Sequence, residues 1–262
     1  MEEKKFKLVE SKKTRYILPN ILTIAGVCLG ISSIKFSLDL NFKMAVIFIT
    51  LAAILDALDG RIARMIKGTS DFGKELDSLT DFVSFGIAPA FIIYFWELNK
   101  YGKLGWAITL IYSVCCVLRL ARFNLTKFKP EDNWKQNYFE GVPSPIGALL
   151  ILSPLVYELT EFNFLINKNF FVPFFTLIIA VLLISKVPTY SFKNIKIKPT
   201  LTVFILLGIG ISFVTLMFFT FETLLAFSGL YILSIPIACL TYLNNKKTFE
   251  ADNSEDEHED VL

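Results

Sequence analysis

Eight apolar blocks, each about as long as a helix that crosses a ~30 Å hydrocarbon core, occupy about residues 17–34, 44–62, 78–97, 104–124, 143–160, 169–186, 200–219 and 224–243. No other feature constrains the fold as much. Backbone in lipid must satisfy its own hydrogen bonds, and the blocks lack strand-like alternation, so they are expected to be helices and not barrel strands. Charged residues make up only 19% of the chain, against roughly 25% in a soluble globule. The expected class is an all-α integral membrane protein with about eight transmembrane helices.

The basic residues orient these helices. With the N-terminus in the cytosol and the sides alternating, only Lys35, Lys43, Lys100, Lys103 and Lys168 of the 26 Lys and Arg fall on the far side. Positive residues collect on the cytosolic side of membrane proteins. Both termini are therefore expected in the cytosol, with the chain in the cell membrane (the inner membrane of a bacterium). Residues 1–16 are charged, carry no small-residue cleavage site and read as a retained cytosolic segment. Residues 17–243 form the transmembrane domain that holds the chemistry, and the acidic residues 244–262 are expected to be a disordered cytosolic tail.

Cys28, Cys115, Cys116 and Cys239 all sit inside apolar blocks without metal-site or disulfide spacing, and read as small buried hydrophobes. The only histidine is His258, in the acidic tail. Acid–base chemistry must come from other side chains.

The second and third blocks keep residues that a lipid-facing helix would not. The run Asp56-Ala-Leu-Asp59-Gly60-Arg61-Ile-Ala63-Arg64 is followed, after eight residues, by Gly73-Lys-Glu-Leu-Asp77-Ser-Leu-Thr-Asp81. Ionisable residues inside spanning segments are costly and mark function. At 3.6 residues per turn, Asp56 and Asp59 share a face. Gly60 and Ala63 lie on that face and leave room for a ligand to approach the backbone. Asp77 and Asp81 share a face with Gly73 and Ser84. If the two helices meet, four carboxylates converge near the cytosolic surface. Hard divalent cations relieve their repulsion, and Mg²⁺ or Mn²⁺ suits carboxylates plus phosphate. Two such ions can clamp a pyrophosphate. Arg64 adds positive charge toward the phosphates, while Arg61 does the same or marks the membrane boundary. Asp71, beside Thr69 and Ser70, reads as a helix cap.

The pattern D-x2-D-G-x2-A-R-x8-G-x3-D-x3-D resembles the signature of the CDP-alcohol phosphatidyltransferase family. Asp56, Asp59, Gly60, Ala63, Arg64, Gly73, Asp77 and Asp81 match it at every position and spacing. The resemblance implies a six-helix core, commonly homodimeric, to which the last two helices here are additions. It implies two divalent ions, Mg²⁺ or Mn²⁺, one on Asp56, Asp59 and Asp77 and the second on Asp77 and Asp81 with Asp56. It implies Asp81 as general base, and contacts to the CDP moiety from Asp59, Gly60, Arg64 and Gly73. Asn20 and Thr23, after Pro19, are similar to a nucleotide-side element of the family; they also read as plain helix-start residues.

Longer stretches resemble the serine-accepting branch of that family. They are Leu58-Asp-Gly-Arg61-Ile-Ala-Arg, Lys67-Gly-Thr-Ser, Glu75-Leu-Asp-Ser-Leu-Thr-Asp-Phe-Val-Ser-Phe-Gly-Ile-Ala-Pro89, Arg119-Leu-Ala-Arg122-Phe-Asn124 and Phe139-Glu-Gly141-Val-Pro143-Ser-Pro145. Val142 stands where the branch usually has leucine. The resemblance covers about residues 17–150 and implies transfer of a phosphatidyl group from CDP-diacylglycerol to L-serine. Membrane lipids are the expected surroundings, and no nucleic-acid partner is expected.

Arg119 and Arg122, three apart, share a face, and an arginine fork suits the carboxylate of an acceptor such as serine. They also read as boundary arginines snorkelling to the interface. Gly141, Pro143 and Pro145 shape the start of the fifth helix. One rival reading is another acceptor in the same family: glycerol 3-phosphate, inositol, inositol phosphate or choline. A phosphorylated acceptor would need a denser basic pocket than two arginines. A transporter would show broken helices and repeated halves, neither of which is evident, and a non-catalytic scaffold would not need the complete motif.

Overall fold

The structure is a computed structural model that describes residues 14–66, 70–125, 138–160, 168–190 and 199–259. Eight helices account for most of them: α1 (Thr14–Leu38), α2 (Phe42–Met65), α3 (Asp71–Trp96), α4 (Lys103–Leu125), α5 (Ser144–Leu159), α6 (Lys168–Ile184), α7 (Pro199–Phe218) and α8 (Thr220–Glu259). Each apolar block has its helix. By length and composition, four of them can cross a membrane: Ile17–Leu38 of α1, α3, α4 and Thr220–Asn245 of α8. The shorter apolar helices are α5, α6 and Leu206–Phe218 of α7. In α2 the apolar first half gives way to Asp56, Asp59, Arg61 and Arg64, so that helix is not apolar throughout.

Several boundaries differ from those expected. Because α1 starts at Thr14, Asn20 and Thr23 lie inside the helix and not at its start. The polar residues before the third block are already helical: α3 begins at Asp71, and Ser70 is its cap, with Ser70 Oγ accepting from the Gly73 N–H at 3.0 Å. Asp71 is therefore not the cap; it stands in the first turn and pairs with Lys74 at 3.3 Å. Nor does α8 stop where acidic composition sets in at residue 244. It runs to Glu259, through a stretch with no proline or glycine to break it. Residues 1–13, the Lys67-Gly-Thr stretch and residues 260–262 lie outside the described residues.

α1 and α2 form an antiparallel hairpin. Its turn places Leu40 at φ 59°, and Asn41 Oδ1 accepts from the Met44 N–H to start α2. α3 sits at the centre, burying Phe85, Ala88, Ile92 and Ile93 against α4 and α5. α7 lies outermost and packs chiefly on α8. Just after Asp81, α3 widens into a π turn over Phe82–Ile87. Hydroxyls of α4 serve the loosened carbonyls, Tyr112 donating to Phe85 O at 3.0 Å and Ser113 to Gly86 O at 3.3 Å. Such π turns occur often at functional sites.

The segments between helices supply one two-stranded antiparallel ribbon, β1 (Tyr138–Glu140) with β2 (Pro188–Tyr190), which the sequence did not signal. Gly141 follows β1 at φ +76°, with Leu183 O and Ser185 O each 2.8 Å from where a Cβ would stand. Pro143 caps α5 and Pro145 lies in its first turn, as their positions suggested.

Where α1 crosses α3, a Cβ on Gly30 would lie 2.6 Å from Ser84 Oγ and 2.9 Å from Ser84 Cα. Backbone cannot yield as a flexible side chain can. Gly30→Ala should therefore cost about 1–3 kcal/mol through overpacking, read as a lower melting temperature in detergent. An unchanged melting temperature would mean that α1 and α3 slide apart freely.

Candidate active site

The paired spacings in α2 and α3 place their aspartates opposite one another. Asp56, Asp59 and Asp77 each present a carboxylate oxygen, and these atoms all lie within 4.8 Å of one another. Asp59 is buried, and its Oδ2 accepts from Thr23 Oγ1 at 2.6 Å. That bond ties α1 to α2 and gives Thr23 a place beside the acidic cluster. The Asp81 carboxyl lies against that of Asp56 within hydrogen-bonding reach. The structure thus gathers all four aspartates, three as a potential ligand set and the fourth beside it.

Such crowding is costly. Two unit charges ~4 Å apart in an effective dielectric of ~20 repel by about 4 kcal/mol. Arg119 is near enough for its charge to act on Asp56 and Asp81. One guanidinium cannot balance four carboxylates. Three converging oxygen donors of this kind fit a hard divalent cation.

Two adjoining cavities open on the cluster. The first, about 260 Å³, is lined by Pro19, Asn20, Thr23, Asp59, Gly60, Ala63, Arg64, Ser70, Gly73, Lys74 and Asp77. It holds every residue that the resemblance assigned to CDP. The second, about 640 Å³, is lined by all four aspartates with Gly60, Arg64 and Lys74, by Arg119, Arg122 and Asn124 of α4, and by Tyr138, Glu140, Pro143 and Pro145. Arg61 is exposed and lines neither. Gly60 is exposed, and a Cβ there would meet nothing within 4 Å, so protein packing does not require a glycine. Gly73 is tighter: its Cβ would meet Asn20 Oδ1 and Ser70 Oγ at 3.1 Å.

The two arginines part company. Arg122 donates to the α6 end at Ile184 O (2.7 Å) and Ser185 O (3.0 Å), and to Glu140 O of β1 at 3.4 Å. It clamps the ribbon that walls the larger cavity. Arg119 is 7% exposed. Its Nη1 donates to Ser144 Oγ at 2.7 Å, its guanidinium lies over the Phe123 ring, and its buried Nε has no hydrogen-bond partner among the described residues. Ser144 and Lys74 went unnoticed in the sequence, although Ser144 sits between the flagged Pro143 and Pro145 and Lys74 lies within the aspartate motif.

Comparison with known proteins gives a consistent picture. Residues 16–225 match the CDP-alcohol phosphatidyltransferase family. The chain is 36% identical over 184 residues to a Mycobacterium tuberculosis protein named CDP-diacylglycerol–serine O-phosphatidyltransferase, covering 70% of this chain and 64% of that one. A Helicobacter pylori protein of the same name is 34% identical over 221 residues, 83% of this chain and 89% of its own. A Methanocaldococcus jannaschii protein of that name is 37% identical over 146 residues, covering 56% of this chain and 63% of that one. The match therefore spans just under two thirds of the mycobacterial protein and most of the Helicobacter one.

Proposed function

The chain belongs to the CDP-alcohol phosphatidyltransferase family, and from that premise we propose that it transfers a phosphatidyl group from CDP-diacylglycerol to L-serine, giving phosphatidylserine and CMP. The observation that carries this reading is the junction of two cavities at one acidic cluster, with a buried arginine on the wall of the larger. The names of the relatives favour serine as acceptor. So does Arg119, the one buried cation among the described residues, since serine brings one carboxylate.

CDP would occupy the smaller cavity, with Asn20, Thr23, Gly60, Arg64 and Gly73 around it. Asp56, Asp59 and Asp77 would hold one divalent ion, Mg²⁺ or Mn²⁺, and Asp56, Asp77 and Asp81 a second. Ions so held would offset the negative charge of the pyrophosphate and of the leaving group. Asp81 removes the proton from the serine hydroxyl. The serine oxygen then bonds to the lipid-side phosphorus, the bridging P–O bond breaks, and CMP departs with the electron pair. Arg64 stabilises that leaving charge. Arg119 receives the serine carboxylate, and Arg122 supports the wall. The eight helices sit in the membrane with both termini cytosolic, in a homodimer.

An acceptor panel tests the assignment. Purified protein in detergent, with CDP-diacylglycerol and Mg²⁺ or Mn²⁺, should incorporate radiolabelled serine in preference to glycerol 3-phosphate or inositol, and chelation should abolish transfer. Incorporation of another acceptor would keep the family and sink the serine reading. Gly60 offers a second check. Gly60→Ala should raise helix stability by about 0.5–1 kcal/mol while raising the KM for CDP-diacylglycerol about tenfold. An unaltered KM would remove Gly60 from the nucleotide site.

A further inference from the structure

A further cavity lies away from the aspartates. It measures about 320 Å³, inside the ~300–1,000 Å³ range of small-ligand sites. Pro154 of α5 lies at its floor, Phe171, Val172 and Phe175 of α6 on one side, and Leu225 and Gly229 of α8 on the other. α6 and α8 each pack on α5 but scarcely on each other, which leaves the space between them open sideways. Trp96, the last residue of α3, closes one end. It is 15 residues beyond Asp81, roughly 22 Å along the helix. The cavity therefore stands at the other end of the bundle from the reaction site. Gly229 lies beyond residue 225, where the family match ends, so the last helix builds part of the wall.

The interior suits hydrocarbon better than water. Pro154 has no N–H to give Leu150 O, and the Ser153 hydroxyl takes that carbonyl at 2.8 Å. The Ser228 hydroxyl donates to Leu224 O at 2.8 Å. Both buried hydroxyls on the wall are thus spent within their own helices. An enclosed water needs about two to four polar partners, and the apolar walls do not supply them. The mouth is different. Lys168 Nζ lies 5.9 Å from the centroid of the Trp96 ring and 2.7 Å from Glu158 Oε2. That oxygen is buried and makes no aligned hydrogen bond among the described residues, so it keeps room for a second donor. Lys100, which donates to Asn169 at 2.6 Å, is likewise paired, with Glu97. Tryptophan at the end of a spanning helix marks the level of lipid headgroups.

We propose that this cavity binds one zwitterionic phospholipid of the leaflet opposite the reaction site. One acyl chain lies between α6 and α8, the phosphate meets Lys168, and the head ammonium meets Glu158. The inference rests on the membrane placement proposed above and not on the serine reading. Charge selects the head. A lone lysine would draw any anionic lipid, whereas a lysine beside a glutamate matches a phosphate beside an ammonium. The chain so held bridges α8 to α6, which otherwise scarcely meet.

The test is native mass spectrometry of delipidated protein in detergent, titrated with phosphatidylethanolamine, phosphatidylglycerol or diacylglycerol of the same chains. The unaltered protein should hold one phosphatidylethanolamine per chain about tenfold more tightly than either of the others, the equivalent of one hydrogen bond to a charged group. Lys168→Gln should erase that preference. Gly229→Leu adds a side chain at the cavity wall, where a Cβ meets nothing within 4 Å. It should weaken all three lipids about tenfold without lowering the melting temperature of the lipid-free protein. Binding that is unaltered in either variant overturns the site. Phosphatidylglycerol held as tightly as phosphatidylethanolamine overturns the contact with Glu158. A raised KM for CDP-diacylglycerol in Gly229→Leu, with phosphatidylethanolamine still bound, would give the cavity to a chain of the substrate and overturn the proposal as well. Binding is read without turnover, so a failure of serine transfer would sink the acceptor reading and leave this result standing.

Discussion

Asp81→Asn should lower kcat for phosphatidyl transfer by about 10²–10⁴-fold, the usual contribution of a positioned general base, and leave the protein folded. The substitution keeps the shape of the side chain and removes only its charge and basicity. Asp81 lies against Asp56 within hydrogen-bonding reach, with Asp77 close enough to repel it. An uncharged amide there relieves repulsion, so the melting temperature of metal-free protein should hold or rise. Functional sites commonly trade stability for activity in this way. The measurement is single-turnover release of CMP, with melting curves on the same preparations. Activity within tenfold of the unaltered enzyme would remove Asp81 from the role of base. Loss of activity together with loss of fold would make the residue structural.

The aspartates were legible in the sequence because helical period alone decides which of them share a face, and because carboxylates in an apolar block have no bland explanation. Asp56 with Asp59, and Asp77 with Asp81, needed only one assumption, that α2 meets α3, and the 4.8 Å cluster satisfies it. The apolar blocks were equally plain, since burial in lipid writes a long, uninterrupted signal. Short polar runs are different. Asp71–Asp77 lies ahead of the apolar block and has only Phe72 and Leu76 to mark it, yet it is helical, because Ser70 caps it and the helix that follows continues it.

What the sequence could not show depends on distant partners. The ribbon has three residues per strand, too few for alternation to register, and it exists because Arg122 and Thr189 tie its ends down. The π turn after Asp81 answers to hydroxyls on α4, more than twenty residues away in the chain. Arg119 and Arg122 looked equivalent at a spacing of three. That spacing still separates them by about 60° around the axis and roughly 4.5 Å along it. The displacement carries Arg122 past the buried wall to the carbonyls at the α6 end, while Arg119 stays beside the aspartates.

Because of that divergence, Arg119 is the arginine whose loss should be felt at the acceptor. Arg119→Lys keeps a positive charge near Asp56 and Asp81 but gives up the planar fork and the Nε–H, and such exchanges are not conservative where geometry matters. A hydrogen bond to a charged group contributes about 1.5–3 kcal/mol, so the KM for serine should rise about 10- to 150-fold, with a smaller change in the KM for CDP-diacylglycerol. Arg122→Lys should behave differently. Its partners are backbone carbonyls of α6 and β1, so its loss should lower the melting temperature and weaken both substrates together. Initial rates over a serine–CDP-diacylglycerol grid separate the two patterns. If Arg119→Lys instead lowers kcat at an unaltered serine KM, the guanidinium serves the charge developing at the phosphates and not the acceptor. The carboxylate would then have to be sought at Lys74 or Arg64, which line the same cavity and, unlike Arg122, do not clamp its wall.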